Sequence, residues 1–352
     1  MTGDEFGEKN LTALYDRTPV QPLKDKHRYV IFSDLHMGNG KRSDDFEPNS
    51  ELFIRVLGDY YLPGPFGLIL NGDVEELQRF SLDSIMRRWE RVYKLFADFE
   101  DQGRLERLFG NHDMALKNMR NPRFRVKEAL RFDYHGDELF IFHGHQTSKR
   151  FEYYNDWFGF ILKYFANPLH IKNYEVSHDS EKRFRVEQRV YNFSSGAKVL
   201  SIIGHTHRPL FESMSKIDSL KFEIERLIRK YPKSSEKKRP DIERRIHEFR
   251  AELLKAHADS NGDESAASLY RENLVVPCMF NSGCVLGKRG MTALEIEDGR
   301  MRLVHWFDRK RSEKYLNYED YHTEKLPKSD FYRVVIKEDS LDYIMSRMKL
   351  LA

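Results

Sequence analysis

The chain has 352 residues, 33% of them charged, yet 59 Lys+Arg against 56 Asp+Glu leave a formal net charge of only +3, which argues against a uniformly basic nucleic-acid coat. At roughly 150 residues per domain the length allows two to three domains, or one large domain carrying insertions. Aromatic residues at 13% and hydrophobic residues at 40% exclude a largely disordered chain, and two cysteines, Cys278 and Cys284, cannot build a four-thiolate zinc site or a disulfide framework.

The opening MTGDEFGEKN lacks the basic run and apolar stretch of a secretory peptide, so a cytoplasmic location is expected. Residues 28–33 (RYVIFS) and 66–71 (FGLILN) read as buried strands whose C-terminal ends deliver Asp34-x-His36 and Gly72-Asp73. Residues 50–61 and 83–102 have helical spacing. In the second run Leu82, Ile85, Trp89, Val92 and Phe96 recur every three or four positions until Gly103 stops it. Residues 138–143 and 198–203 repeat the strand-to-polar-loop junction, ahead of Gly144-His145 and Gly204-His205-Thr206-His207.

Strands alternating with helices define an α/β body. Residues 151–195 depart from it as an aromatic, partly helical stretch, read as a cap or insertion that lines an apolar pocket, packs as a small core or dimer interface, or touches a membrane surface. Its most apolar part, Trp157 to Ala166, contains Lys163 and is about half the length needed to cross a bilayer. Residues 213–256 read as a charged helical hairpin, with apolar positions Ile217, Leu220, Ile224, Leu227 and Ile228, then Ile242, Ile246, Phe249 and Leu253. The basic run at 230–240 within it is interspersed with acids, as on a solvated helix face. A polar loop follows at 258–268. LVVPCMF, MTALEIE, a turn at Asp298-Gly299 and MRLVHWF then return to the body, and the charged tail ends in an amphipathic piece, Leu341–Leu350. The expected organisation is a domain over 25–307, interrupted by insertions at 151–195 and 213–268 and followed by an extension at 308–352.

The polar junctions supply Asp34, His36, Asp73, Asn111, His143, His205 and His207. This oxygen-and-imidazole set suits manganese, iron or zinc better than a soft ion. In Asp34-x-His36 and His205-x-His207 the paired side chains share a face if the strand continues, or converge if it bends into a loop. Two ions bridged by Asp73, about 3.5–4 Å apart, could activate a water and clamp phosphoryl oxygens. Taken singly, each residue is equally well read as a strand cap or a core hydrogen-bonding group; it is the joint pattern that points to a metal centre.

These blocks, Asp34/His36, Gly72-Asp73, Gly110-Asn111-His112-Asp113, His143 and Gly204-His205-Thr206-His207, stand in the order found in the calcineurin-like binuclear metallophosphoesterases, which the chain resembles over roughly residues 28–211 and 274–307. The resemblance implies a four-layer α/β/β/α sandwich with two mixed sheets. It also implies two divalent ions, manganese first and iron or zinc as alternatives. Asp34, His36, Asp73 and His207 would hold one ion, and Asp73, Asn111, His143 and His205 the other, with an activated hydroxide attacking phosphorus. His112 would contact the phosphate and protonate the leaving oxygen, with Asp113 orienting its ring.

Within the family the chain is most similar to the UDP-2,3-diacylglucosamine pyrophosphatase-like subgroup, through His205-Thr206-His207-Arg208-Pro209 and the aromatic stretch after His143. It departs from that subgroup at His112, where those enzymes usually have Arg, and in its greater length. Arg208, directly after a ligand position, and His145 are the expected substrate-binding residues. Arg42, Arg79 and Arg150 are read as surface ion-pairing residues, His170 as a residue near the site and His305 as packing in the body. Glu75-Glu76 departs from the family pattern without an interpretation. The expected function is metal-dependent hydrolysis of a phosphodiester, phosphomonoester or pyrophosphate bond in a small nucleotide-like or lipid-linked substrate. A nuclease or phosphoprotein phosphatase of the same metal class is the alternative, and a non-catalytic scaffold the third reading. Peripheral membrane contact and a homodimer stay open as partnerships.

Overall fold

The computed structural model describes residues 3–41, 43–119, 125–148, 180–213, 231–260, 276–317 and 321–352, together with residues 220, 224, 227, 228 and 230. The chain begins with α1 (Gly3–Arg17), β1 (Val20–Pro22), β2 (Tyr29–Phe32), α2 (Ser50–Val56), β3 (Gly67–Asn71), α3 (Leu82–Arg88), α4 (Glu90–Asp101) and β4 (Leu105–Leu108). It continues through β5 (Ala129–Tyr134), β6 (Asp137–Phe142), α5 (Ser180–Ala197), β7 (Leu200–Ile203), α6 (Arg239–Ser260) and β8 (Met279–Asn281). It closes with β9 (Met291–Glu297), β10 (Arg300–Asp308), β11 (Thr323–Lys325), β12 (Phe331–Ser340) and α7 (Leu341–Leu351).

The strands form two sheets, one of five strands in the order β1-β5-β6-β7-β8 and one of seven in the order β11-β12-β10-β9-β2-β3-β4. Both are mixed. β2, β3 and β4 run parallel, as do β6, β7 and β8, while β9 to β12 pair antiparallel.

Strands buried on both faces explain the unbroken apolar runs, because successive side chains enter different layers. Val30, Phe32, Leu68 and Leu70 pack against helical residues such as Phe53 and Phe96. Ile31 and Ile69 point the other way, meeting Leu139, Ile141, Leu200 and Ile202 between the sheets. Phe140, Phe142 and Ile203 leave that space for Leu11 and Leu14 of α1 and Val190 and Phe193 of α5. The result is helices, sheet, sheet, helices: the four-layer metallophosphoesterase sandwich.

Two local departures from the sequence reading have physical causes. The run at 83–102 is two helices, broken at Trp89 (φ −107°, ψ 33°), where the indole Nε1 donates to Gly38 O at 2.9 Å and Asp44 Oδ2 at 3.1 Å. The tail also does more than its charge suggests. β12 pairs with β10 from Arg300↔Ser340 to Asp308↔Phe331, and α7 places Leu341, Ile344, Met345 and Met348 in the inter-sheet core.

The hairpin expectation holds for its described residues. Leu220 and Leu227 pack with Ile242 and Phe249, flanked by Ile224, Ile246 and Leu253, as a small core of their own, while Ile228 is exposed. Ile217 lies outside the described residues, as do Arg42, Arg150, His170 and the aromatic run Phe151 to Phe165; only 180–195 of the expected cap is described, as part of α5. Among the described residues no helix is long and apolar enough to cross a membrane.

Candidate metal centre

The C-terminal ends of β2, β3, β4, β6 and β7 carry every expected ligand. The loop after β2 runs beside the loop after β3, with Asp34 N–H donating to Gly72 O at 3.1 Å, His36 N–H to Asp73 O at 2.9 Å and Met37 N–H to Val74 O at 2.9 Å. The two sheets are joined at this end by Asn71 Nδ2 on Phe142 O at 3.1 Å and by His205 N–H on Asp34 Oδ2 at 3.0 Å.

The strands do not continue into the ligand pairs. Asp34 (φ 54°), His36 (47°), Asp73 (52°), His205 (64°) and His207 (54°) all adopt the left-handed conformation, which costs a residue with a Cβ about 1–3 kcal/mol each. Five such residues at one end of the sheets mark a place where the fold sustains strain in order to aim side chains. The glycines of the motif blocks serve the same convergence. A Cβ on Gly110 would lie 2.1 Å from Asp73 Oδ1, and one on Gly204 would lie 2.7 Å from Asp34 Oδ2.

The side chains assemble into two adjoining groups suited to divalent cations, Asp34, His36 and His207, and Asp73, His143 and His205, and a third such group, His36, Glu76 and His112, shares His36 with the first. In the first, His207 Nε2 is 3.1 Å from Asp34 Oδ1 and 3.1 Å from His36 Nε2. In the second, His143 Nε2 is 3.0 Å from Asp73 Oδ2. Asp73 Oδ2 is also 3.9 Å from His36 Nε2, so its carboxylate adjoins both groups. All six residues of the first two groups are buried except His207, whose side chain is 17% exposed.

The donor set fits a cation. His143 Nδ1 faces Asn71 O at 2.8 Å, an oxygen that only accepts, so Nδ1 carries a hydrogen and Nε2, turned toward Asp73, is the nitrogen left to ligate a cation once its own proton is displaced. His36 Nδ1 likewise faces the Glu76 carboxylate at 3.0 Å, which leaves Nε2 toward His207. Asn111 Oδ1 is buried and accepts no hydrogen bond among the described residues. Carboxylate, amide and imidazole ligand atoms gathered this closely are what a bound cation satisfies, displacing the protons that otherwise bridge them.

The electrostatics agree. Burial alone would raise Asp34, but the adjacent His207 outweighs it and holds the carboxyl well below its usual range. Asp73 is held low in the same way, against burial, by His143 and His112. Burial would lower His143, yet Asp73 lifts it to about 9. His205, buried and next to the His143 charge, is lowered to about 3.

Around the two groups the expected roles redistribute. Asp113 does not orient the His112 ring: its Oδ1 accepts from Gly110 N–H at 2.6 Å and its Oδ2 from Val74 N–H at 2.7 Å, so it pins the loops. The ring is held instead by Glu76, whose Oε1 is 2.9 Å from His112 Nδ1. Glu76 thus spans His36 and His112, and burial notwithstanding these two rings bring it down to about 2. Its neighbour Glu75 pairs with Arg107 at 2.6 Å and accepts from Tyr93 Oη at 2.8 Å. His145 is buried, its ring 5.5 Å from that of His143 and 6.5 Å from that of His205. Arg208 pairs with the buried Glu187, and Arg79 with Asp45 at 3.3 Å. His305 stacks on Phe307 with ring centroids 5.7 Å apart, in the body as expected.

Glu76 and Glu187 are the polar residues that sequence reasoning did not place. The only signal for the first was an acid pair directly after Gly72-Asp73-Val74; the second, within a charged helical run, had none. No family model matches the chain, and no curated protein matches it significantly. The structure has a binuclear metal-site geometry consistent with the calcineurin-like metallophosphoesterase superfamily, on the four-layer sandwich of that fold.

Proposed function

We propose that the protein is a binuclear metal-dependent phosphoesterase acting on a small phosphorylated substrate, a phosphodiester, phosphomonoester or pyrophosphate. The observation that supports it most is the position of the Asp73 carboxylate between two acid–imidazole groups. Asp34, His36, Asp73 and His207 would hold one ion, and Asp73, Asn111, His143 and His205 the other, with manganese the first candidate. Such a pair of ions lowers the pKa of a water and clamps the oxygens of a phosphoryl group in in-line displacement.

The chain's own groups do the rest. Glu76 keeps Nδ1 of His112 occupied, so the proton that His112 offers to a leaving oxygen sits on Nε2. The His112 ring packs edge-on against His36, centroids 4.6 Å apart, which keeps it beside the first metal group. Asp73 Oδ1 accepts the His112 backbone N–H at 2.7 Å, tying the acid and the bridging carboxylate to one another. His145, whose ring lies 5.5 Å from that of His143 and 6.5 Å from that of His205, is proposed to border the substrate phosphate.

A panel of aryl phosphomonoesters, bis-aryl diesters, nucleoside diphosphate conjugates, single-stranded nucleic acid and a phosphopeptide, each with Mn²⁺, tests the proposal. Turnover of a small ester or pyrophosphate that vanishes in Asp73→Ala supports it. Turnover confined to nucleic acid or phosphopeptide would replace the substrate class, and no turnover on any member would reject the enzyme reading.

A further inference from the structure

The loop that carries His205 and His207 is gripped from behind by a helix far away in sequence. Glu187 of α5 is completely buried. Its Oε1 accepts from Thr206 Oγ1 at 2.8 Å and from Arg208 Nε at 3.2 Å, and its Oε2 accepts from Arg208 Nη2. Thr206 lies between the two histidines and Arg208 directly follows the second, so one carboxylate engages the side chains on both sides of His207. From the opposite side Asn281 Nδ2 donates to Thr206 Oγ1 at 2.9 Å and to Gly204 O at 3.0 Å.

The same helix reaches the neighbouring loop. Arg189, two positions on, donates through Nη1 to Thr147 O at 3.1 Å, just beyond His143 and His145. α5 therefore touches both loops that the five-stranded sheet contributes to the centre.

We infer that Glu187 is a positioning residue for the metal centre: through Thr206 and Arg208 it keeps His205 and His207 in their left-handed conformations and aimed at the ions. This rests on the reading of the centre as binuclear. It also assigns Arg208 to the loop rather than to the substrate. The physical reason is that His205 (φ 64°) and His207 (φ 54°) are held in a conformation that a residue with a Cβ leaves when released. A carboxylate that receives donors from both sides of His207 opposes that relaxation, and its planar match to the Arg208 guanidinium fixes direction as well as distance.

Titration of the metal-free full chain with Mn²⁺ alone, following free ion by electron paramagnetic resonance, tests this without reference to activity. Glu187→Gln and Arg208→Lys, the latter keeping the charge but losing the fork, are each expected to weaken Mn²⁺ binding by about 10–100-fold, at temperatures where circular dichroism shows the chain folded. The double variant Glu187→Gln/Arg208→Gln, which removes both charges of the pair, is expected to bind Mn²⁺ no better than the single ones. Binding as tight as in the unaltered protein, in any folded variant of the three, overturns the inference while leaving the proposed function intact. An unaltered protein that takes up no Mn²⁺ overturns both.

Discussion

Two buried polar clusters in this molecule obey opposite rules. In the first, on the seven-stranded sheet, Glu295 accepts from Tyr61 Oη at 2.6 Å and Arg333 Nε at 3.0 Å, and Trp306 Nε1 donates to Tyr61 Oη at 3.0 Å. Each of these donors meets an acceptor, and the cluster closes on itself. In the second, at the strand ends, His36 Nε2 faces His207 Nε2 at 3.1 Å, Asn111 Oδ1 has no donor among the described residues, and five backbones are held left-handed. A closed network ties strands together, whereas an open, strained one makes sense only with a further group in it. The difference separates residues kept for stability from residues kept for chemistry without recourse to relatives.

The comparison breaks if substitutions in the two clusters have the same consequences. The largest effect is expected for Asp73→Ala, which removes the shared carboxylate: phosphoester hydrolysis should fall by about 10³-fold or more, as befits several kcal/mol of lost metal-borne stabilisation. Its metal-free melting temperature should move less than that of the next variant. Arg333→Met leaves Glu295 buried without its cation and should cost about 3–5 kcal/mol of stability, read by chemical denaturation, with Mn²⁺ stoichiometry unchanged. If Arg333→Met loses Mn²⁺ while Asp73→Ala keeps it, the division is wrong.

A smaller effect sharpens the division inside the site. His112→Gln should lower kcat by about 10²-fold yet retain both ions, because His112 is a proton donor in this account and not a ligand; loss of an ion would make it one. The smallest effect lies outside both clusters. Burial lowers His305 to about 4 from its ordinary 6.5, so the unfolded chain binds its proton before the folded one does. Stability should therefore fall as pH drops from 6.5 toward 4, and His305→Phe should flatten that part of the denaturation profile.

Much of the site was legible because chemistry and chain punctuation coincide in it: each apolar run ends where a ligand begins, and the glycine ahead of Asn111 or His205 stands where a Cβ has no room. The helix break was not, since Trp89 keeps the apolar period while its indole is drawn off by Gly38 and Asp44. β12 was hidden by its own composition: within it Val334 alone is fully buried, and the charges around it read as a solvated tail. The ring partner of His112 was misplaced for a different reason. Asp113 is adjacent in sequence, but its oxygens accept from the N–H groups of Gly110 and Val74, and the acid that reaches the ring comes from the loop after β3. Arg208 shows the same limit, since the carboxylate that engages it stands 21 positions upstream. Contacts of that kind depend on which loops the sheets bring together, and no local pattern records them.

The central claim is that the open cluster holds two ions that share Asp73. Anomalous diffraction from crystals equilibrated with Mn²⁺ tests it directly. Two peaks about 3.5–4 Å apart, one among Asp34, His36 and His207 and one among Asp73, His143 and His205, are the expected result. A cluster without peaks at saturating Mn²⁺, or peaks held elsewhere by other residues, would contradict it.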